Sequence, residues 1–182
     1  MHDNIDFLRL AADRYSVRKF AEKPVEQEKL DKVLEAGHLA PTAVNYQPQR
    51  ILVMNDEEAL TKLQKCTRYH FNAPAALLVS YNKNECWKRT YDGKTSGEID
   101  ASIVTTHMML EAAAIGLGTT WVMYFDPGIL RKEFSIPDEL EPVALLILGY
   151  PADDAKPSAK HTEFRSPEEI ISYNSGYHDL KK

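Results

Sequence analysis

Residues 98–115, EIDASIVTTHMMLEAAAI, form the longest stretch of helical periodicity in the chain and decide its fold. Apolar side chains such as Ile99, Val104 and Met108 are spread around most of the helix circumference, together with several alanines. A helix that is apolar on nearly all sides has to be covered on nearly all sides. In a chain of 182 residues, this pattern predicts a central helix, a subunit interface, or both.

Shorter helices and strands alternate on both sides of this segment. The apolar runs RILVM, APAALLVSY, TTWVMYF and PVALLILGY predict strands at residues 50–54, 73–81, 119–125 and 142–150. A first helix is predicted at about residues 4–14, with Phe7 and Leu8 on the buried side. A second is predicted to begin after EKPVEQ, residues 22–27, and to be ended by Gly37 and Pro41, and further helices are predicted in DEEALTKLQK, DPGILRKEF and SPEEIISY. This alternation indicates an α/β or α+β protein whose sheet of four or five strands is covered by helices.

We expect residues 1–182 to form a single domain. Residues 82–97, NKNECWKRTYDGKTSG, lack apolar periodicity and predict a surface excursion or a lid. Residues 151–182 are expected to form a C-terminal extension that begins as an extended segment.

Composition and charge exclude several functions. A net charge of −5 argues against a general nucleic-acid binder and against a binder of anionic membranes. No apolar run is long enough to cross a bilayer, and no cationic-then-apolar leader opens the chain, so we expect a cytoplasmic protein.

Cys66 and Cys86 lack motif spacing and are expected to be reduced thiols without a catalytic role. The scattered histidines do not support a metal site, and His107 is expected to lie in the core.

Positive charge is concentrated in DRYSVRKF, residues 13–20. An extended backbone would place Arg14, Ser16 and Arg18 on one face, whereas a helix would bring Arg14 and Arg18 together. Either geometry makes a fork of guanidinium donors that matches the oxygens of a phosphate. The alternative is a pair of solvated arginines that only increase solubility.

A second polar cluster lies in PTAVNYQPQ, residues 41–49. Thr42, Asn45 and Gln47 supply mixed hydrogen-bond donors and acceptors, which suit the edge of a heterocycle. The alternative is a loop whose polar side chains satisfy only its own backbone. Other familiar motifs fail: in GLGTTW the third glycine of a dinucleotide-binding fingerprint is replaced by Trp121, and no hydrolase or zinc-protease motif occurs.

Taken in order along the chain, RYSVRKF, PTAVNYQPQ, GLGTTWVM and FRSPEEI resemble the flavin-dependent nitroreductase family. The resemblance implies an α+β sandwich with a central mixed sheet covered by helices, and an intertwined homodimer with FMN at the subunit interface. Such a dimer would explain a long helix that is apolar all round. The residues that the resemblance assigns to FMN are Arg14, Tyr15, Ser16, Arg18, Pro41, Thr42, Ala43, Asn45, Gln47, Asn72, Trp121, Val122, Met123 and Arg165.

Within this set, the resemblance implies that Arg14, Ser16 and Arg165 meet the phosphate end and that Arg18 reaches the pyrimidine edge of the flavin. Residues 41–43 would approach from the other subunit, and Asn72 with residues 121–123 would lie near the ring. Three departures from the family pattern stand out: Met123 where a glutamate is frequent, Glu163 where a second basic residue is frequent, and Gln49 where a tryptophan is frequent.

The implied reaction is a ping-pong transfer in which NAD(P)H delivers hydride and a nitroaromatic, a quinone or a similar electron-poor acceptor takes the electrons. No protein side chain is expected to act as a nucleophile, and Arg18 would give electrostatic support. Two alternatives remain open: a flavoenzyme of the same fold with another specificity, such as a reductive dehalogenase or a flavin-processing enzyme, and a non-catalytic protein that binds or stores FMN.

Overall fold

The computed structural model describes residues 6–174, 176 and 177. Four strands form one sheet in the order β1-β2-β4-β3: β1 (Gln49–Met54), β2 (Ala75–Asn82), β3 (Gly118–Val122) and β4 (Leu140–Gly149). The helices are α1 (Phe7–Asp13), α2 (Gln27–His38), α3 (Glu57–Cys66), α4 (Gly97–Ala114), α5 (Pro127–Phe134) and α6 (Pro167–Ile170). Short 3₁₀ turns occur at Ala43–Asn45 and Ala159–Thr162.

The two central strands, β2 and β4, separate two apolar cores. Leu77 and Leu146 point into the core shared with α2 and α4, whereas Leu78 and Leu145 point into the core shared with α3 and α5. Because side chains alternate along a strand, apolar residues at successive positions cover both faces of the sheet. The result is the sheet covered by helices that the sequence predicts, and the α+β class is confirmed.

All pairings between the four named strands are antiparallel. Parallel pairing occurs in the described residues at an isolated bridge between Ser16 and Thr119. The mixed character expected of the sheet is therefore limited to this bridge, through which the segment after α1 joins the free edge of β3.

The central helix α4 has two different sides. One side, with Ala101, Val104 and Met108, is fully buried against the sheet and α2. The other side lines an open cleft of about 470 Å³ and carries Ile99, which is 52% exposed, and His107, which is half-buried. The expectation of a core position for His107 is therefore wrong, because this residue faces away from the sheet.

Two helix ends follow the predicted signals. Asp126 caps α5 by accepting a hydrogen bond from the backbone N–H of Ile129, and Pro127 occupies the first turn. Gly116, with φ of 81°, ends α4 in the left-handed region. Gly37 departs from its predicted role, because it lies inside α2, where a side chain would collide with Met108. This glycine permits close packing of α2 on α4.

Two further expectations need correction. Phe7 and Leu8 on α1 are 59% and 79% exposed, so the apolar side of this helix is not covered within the chain. The third strand ends at Val122, and Met123, Tyr124 and Phe125 continue beyond the sheet. No helix among residues 6–174, 176 and 177 is long and apolar enough to span a membrane.

We predict that Gly97→Ala destabilises the fold by about 2 kcal/mol, because the added Cβ would overlap the buried ring of Tyr81 at the first turn of α4. Chemical denaturation measures the loss as a lower midpoint. Gly128→Ala in α5 is the matched control and should be neutral or stabilising, since its Cβ meets no closer atom than Asp126 Oδ1 at 3.3 Å. Equal midpoints for Gly97→Ala and the unmodified protein would contradict this packing.

Candidate functional site

The segment after α1 is extended and is held against β3. Ser16 forms the bridge with Thr119, the Val17 N–H donates to the Thr119 carbonyl at 2.9 Å, and the Thr120 hydroxyl donates to the Val17 carbonyl. Val17 is only 2% exposed, so its side chain points inward. Since neighbouring side chains alternate on an extended backbone, Arg14, Ser16 and Arg18 share the opposite side.

The cationic groups on this side are free of carboxylate partners. Neither Arg14 nor Arg18 forms an ion pair within residues 6–174, 176 and 177. Arg18 Nη1 donates to the carbonyl of Ser16 at 3.2 Å, and Arg14 lines a cavity of about 210 Å³ together with Gly116 and Gly118. Two unpaired guanidinium groups flanking a hydroxyl form a donor set that fits a phosphate and the polar chain attached to it.

The polar loop at residues 41–48 is anchored by a buried carboxylate that the sequence analysis missed. Asp100 is 1% exposed, accepts the Ala43 N–H at 2.9 Å and accepts the Ser96 hydroxyl at 2.7 Å. The available signal was an acidic residue in the first turn of a largely apolar helix. Asp100 thus joins this loop to residue 96 and the first turn of α4.

Inside the loop, the backbone is bent by left-handed residues. Val44, Asn45 and Gln47 have φ values of 54°, 56° and 51°. The Gln47 N–H donates to the Thr42 hydroxyl at 3.0 Å, and the Gln47 side chain donates to the Asn45 carbonyl at 3.4 Å. The loop therefore does satisfy part of its own backbone, while the side chains of Asn45 and Gln47 remain exposed and Pro41 lies at its exposed start.

Residues 82–97 fold over the same end of α4. The Ser96 N–H donates to the Trp87 carbonyl at 2.9 Å, and Arg89 forms a two-point contact with Asp92 that closes the turn. A cavity of about 310 Å³ separates this hairpin from α4 and includes Ala43 and Trp87 in its wall. The predicted surface excursion is thus a compact hairpin beside the polar loop.

The residues expected near a flavin ring lie in different environments. Val122 is buried in the core between the sheet and α3, and Trp121 packs partly into the opposite core. Met123 is 70% exposed just beyond the end of β3. Asn72 is exposed, has φ of 50°, and its N–H donates to His70 Nδ1 at 3.1 Å. Of these four side chains, only Met123 and Asn72 are largely exposed.

The C-terminal segment folds back towards the segment after α1. The rings of Tyr15 and His161 meet edge-on at 6.2 Å, and His161 Nε2 lies 3.1 Å from the Ala12 carbonyl. Arg165 follows four residues later, where its exposed guanidinium lies 3.7 Å from Glu169. The structure thus brings the C-terminal segment to the segment after α1 through Tyr15 and His161, while the Arg165 guanidinium has Glu169 as its carboxylate neighbour.

Both cysteines are free thiols. Burial raises the pKa of Cys66 to about 11, with smaller contributions from the negative charges of Glu133 and Asp126. A thiol with such a pKa stays protonated at neutral pH and is a poor nucleophile.

The family model for nitroreductases matches residues 11–74 and 68–150, and the chain belongs to the nitroreductase family. A nitroreductase family protein from Clostridium difficile 630 has 45% sequence identity and a TM-score of 0.88, over 94% of this chain and 99% of that chain. An FMN-dependent nitroreductase from Clostridium difficile R20291 has 25% identity and a TM-score of 0.76, over 92% and 99% of the two chains. A protein of Methanothermobacter thermautotrophicus named NADH dehydrogenase/NAD(P)H nitroreductase is 30% identical over 159 residues, which are 82% of this chain and 80% of that protein.

We predict that Asp100→Ala lowers stability by about 2–3 kcal/mol, because the Ala43 N–H and the Ser96 hydroxyl both lose a buried charged acceptor. Asp100→Asn should cost less, since its amide oxygen still accepts from Ala43. Thermal and chemical unfolding of both variants measure the difference. An alanine variant as stable as the asparagine variant would show that Asp100 does not anchor the loop.

Proposed function

We propose that this chain is an FMN-dependent oxidoreductase that uses NAD(P)H to reduce nitroaromatics, quinones or similar electron-poor acceptors. Membership of the nitroreductase family supports this class of reaction. The observation that carries the proposal is the pair of guanidinium groups of Arg14 and Arg18, which flank Ser16 beside β3 and have no carboxylate partner in the described chain.

When bound, FMN supplies the redox chemistry, accepting hydride from NAD(P)H and passing electrons to the second substrate in a ping-pong cycle. Arg14 and Ser16 would hold the phosphate and the ribityl chain. Arg18 would lie at the pyrimidine edge, where its positive charge stabilises the negative charge that accompanies reduction. Residues 16 and 17 are hydrogen-bonded to β3. The backbone positions of Arg14, Ser16 and Arg18 would therefore stay the same whether or not the cofactor is bound.

The proposed working unit is a homodimer with FMN at the subunit interface. Apolar side chains that a single chain leaves exposed include Phe7 and Leu8 on α1 and Ile99 on α4. The C-terminal segment adds Phe164 at 84% exposure and Ile170 at 60%. A second copy of the chain would cover these surfaces and would bring its own loop at residues 41–47 to the site. With two free thiols, such a dimer suits the reducing cytoplasm.

We predict that Arg14→Ala weakens FMN binding by about 2–4 kcal/mol, through loss of a charge-assisted contact to the phosphate. Titration of the apoprotein with FMN, followed by flavin fluorescence, measures the dissociation constant. Lys32→Ala is the control, because Lys32 pairs with Glu28 on the exposed side of α2 and should leave binding unchanged. If Arg14→Ala keeps full FMN affinity, Arg14 does not hold the phosphate.

We predict that Arg18→Ala slows reduction of the bound flavin by NAD(P)H without loss of the fold. Anaerobic stopped-flow absorbance at the flavin band measures this rate, and circular dichroism checks folding. Unchanged reduction kinetics would remove the proposed electrostatic role of Arg18. A wild-type protein that binds FMN but is never bleached by NADH or NADPH would instead indicate a storage protein.

A further inference from the structure

An arginine held between two tyrosines lies outside the residues assigned above. The Arg68 guanidinium carbon is 4.9 Å from the ring centre of Tyr69 and 5.4 Å from that of Tyr124, and Arg68 Nη2 donates to the Tyr69 hydroxyl at 2.7 Å. The two tyrosine rings meet edge-on at 5.4 Å. We call Arg68, Tyr69 and Tyr124 the Arg68 cluster.

Hydrogen bonds between the end of α3 and the residues that follow β3 hold the cluster in place. The Thr67 hydroxyl donates to the Tyr124 carbonyl at 2.6 Å, and the Asp126 N–H donates to the Cys66 carbonyl at 2.8 Å. These bonds join the end of α3 to the chain that follows β3. The guanidinium is therefore positioned by the fold and by stacking on aromatic faces, an arrangement that orders an otherwise mobile side chain.

The charge of Arg68 is not balanced by a carboxylate in the described part of the chain. Within residues 6–174, 176 and 177, no carboxylate forms an ion pair with it, although the chain carries a net charge of −5. Neighbouring groups are already engaged: Lys65 pairs with Glu133 at 2.9 Å, and the Asp126 carboxylate caps α5. An ordered, exposed and uncompensated guanidinium is suited to an anionic ligand.

A cleft of about 500 Å³ opens beside Arg68, between the end of α3 and the start of α5. Its wall includes Lys65, Thr67 and Tyr124. Tyr124 directly follows Met123, and the ring of Phe71, next to Asn72, lies 6.0 Å from the ring of Tyr69. One residue of the cleft wall, Tyr124, is therefore the chain neighbour of Met123, which the family resemblance assigns to the flavin ring.

We propose that the Arg68 cluster binds a phosphate group of the reduced nicotinamide dinucleotide while the nicotinamide lies at the flavin. This inference rests on the proposed function. Of the two proposed substrates, the dinucleotide always carries phosphates, and its adenine can stack on exposed aromatic rings such as Tyr124, whereas a nitroaromatic or a quinone needs no anionic group. Either the pyrophosphate or a 2′-phosphate would supply the same chemistry to Arg68.

The test uses the FMN-loaded protein and the variants Arg68→Met and Arg68→Lys. Stopped-flow reduction of the flavin over a range of NADPH and NADH concentrations gives the dissociation constant of each donor. Calorimetry with 2′,5′-ADP measures phosphate binding without turnover. We expect Arg68→Met to weaken donor binding about tenfold or more, and Arg68→Lys to weaken it less, because lysine keeps the charge but loses the planar fork. Lys62→Met is the matched control, since it removes a cation of α3 that pairs with Glu58.

These measurements distinguish the 2′-phosphate from the pyrophosphate as the group bound. They also distinguish a failure of the Arg68 inference from a failure of the proposed function. Weakening confined to NADPH and 2′,5′-ADP supports recognition of the 2′-phosphate, and equal weakening for both donors supports recognition of the pyrophosphate. Unchanged donor constants in Arg68→Met, with normal FMN content and thermal stability, would overturn the inference. An effect only on an anionic acceptor such as 4-nitrobenzoate would overturn it as well. A wild-type protein that takes up no FMN would refute the proposed function instead, and 2′,5′-ADP calorimetry on that protein would still test Arg68.

Discussion

The packing of α4 on the sheet is the constraint on which the remaining structure depends. Its inner side is occupied by residues that touch no water, and Gly37 and Gly97 allow α2 and Tyr81 to approach this helix closely. Interiors packed at this density have little freedom to shift. The first turn of α4 is therefore a fixed platform, and the polar loop and the hairpin after β2 are both built on it through Asp100 and Ser96.

The opposite side of α4 carries apolar surface that the described part of a single chain leaves uncovered. Large exposed apolar patches mark interaction sites, and exposed apolar side chains occur here on α1, α4 and the C-terminal segment. The cationic segment and the polar loop lie on different parts of this same chain. A proposed cofactor site that draws on both is consistent with two copies that each contribute one half.

The sequence predicts those parts of the structure that depend on residues close together in the chain better than those that depend on distant residues. The four strands and the caps at Asp126 and Gly116 follow from local patterns and were predicted, although the third strand ends at Val122 rather than at residue 125. The exposure of Phe7 and Leu8 on α1 was not predicted, because an apolar stripe does not reveal whether the residues that bury it belong to the same chain. Asp100 and Arg68 were missed for a related reason: the partners that define them, Ala43 and Tyr124, lie 57 and 56 residues away, and no local spacing links them.

The attachment of residues 16 and 17 to β3 has an energetic consequence. Alternate residues on an extended strand are separated by roughly 6.6 Å, so the backbone itself sets the attachment points of Arg14 and Arg18, four residues apart, at roughly 13 Å from each other. The conformational entropy of this segment is lost when the polypeptide folds rather than when a ligand arrives. Preorganisation of this kind lowers the cost of ordering the site when an anion binds, and it therefore increases the affinity.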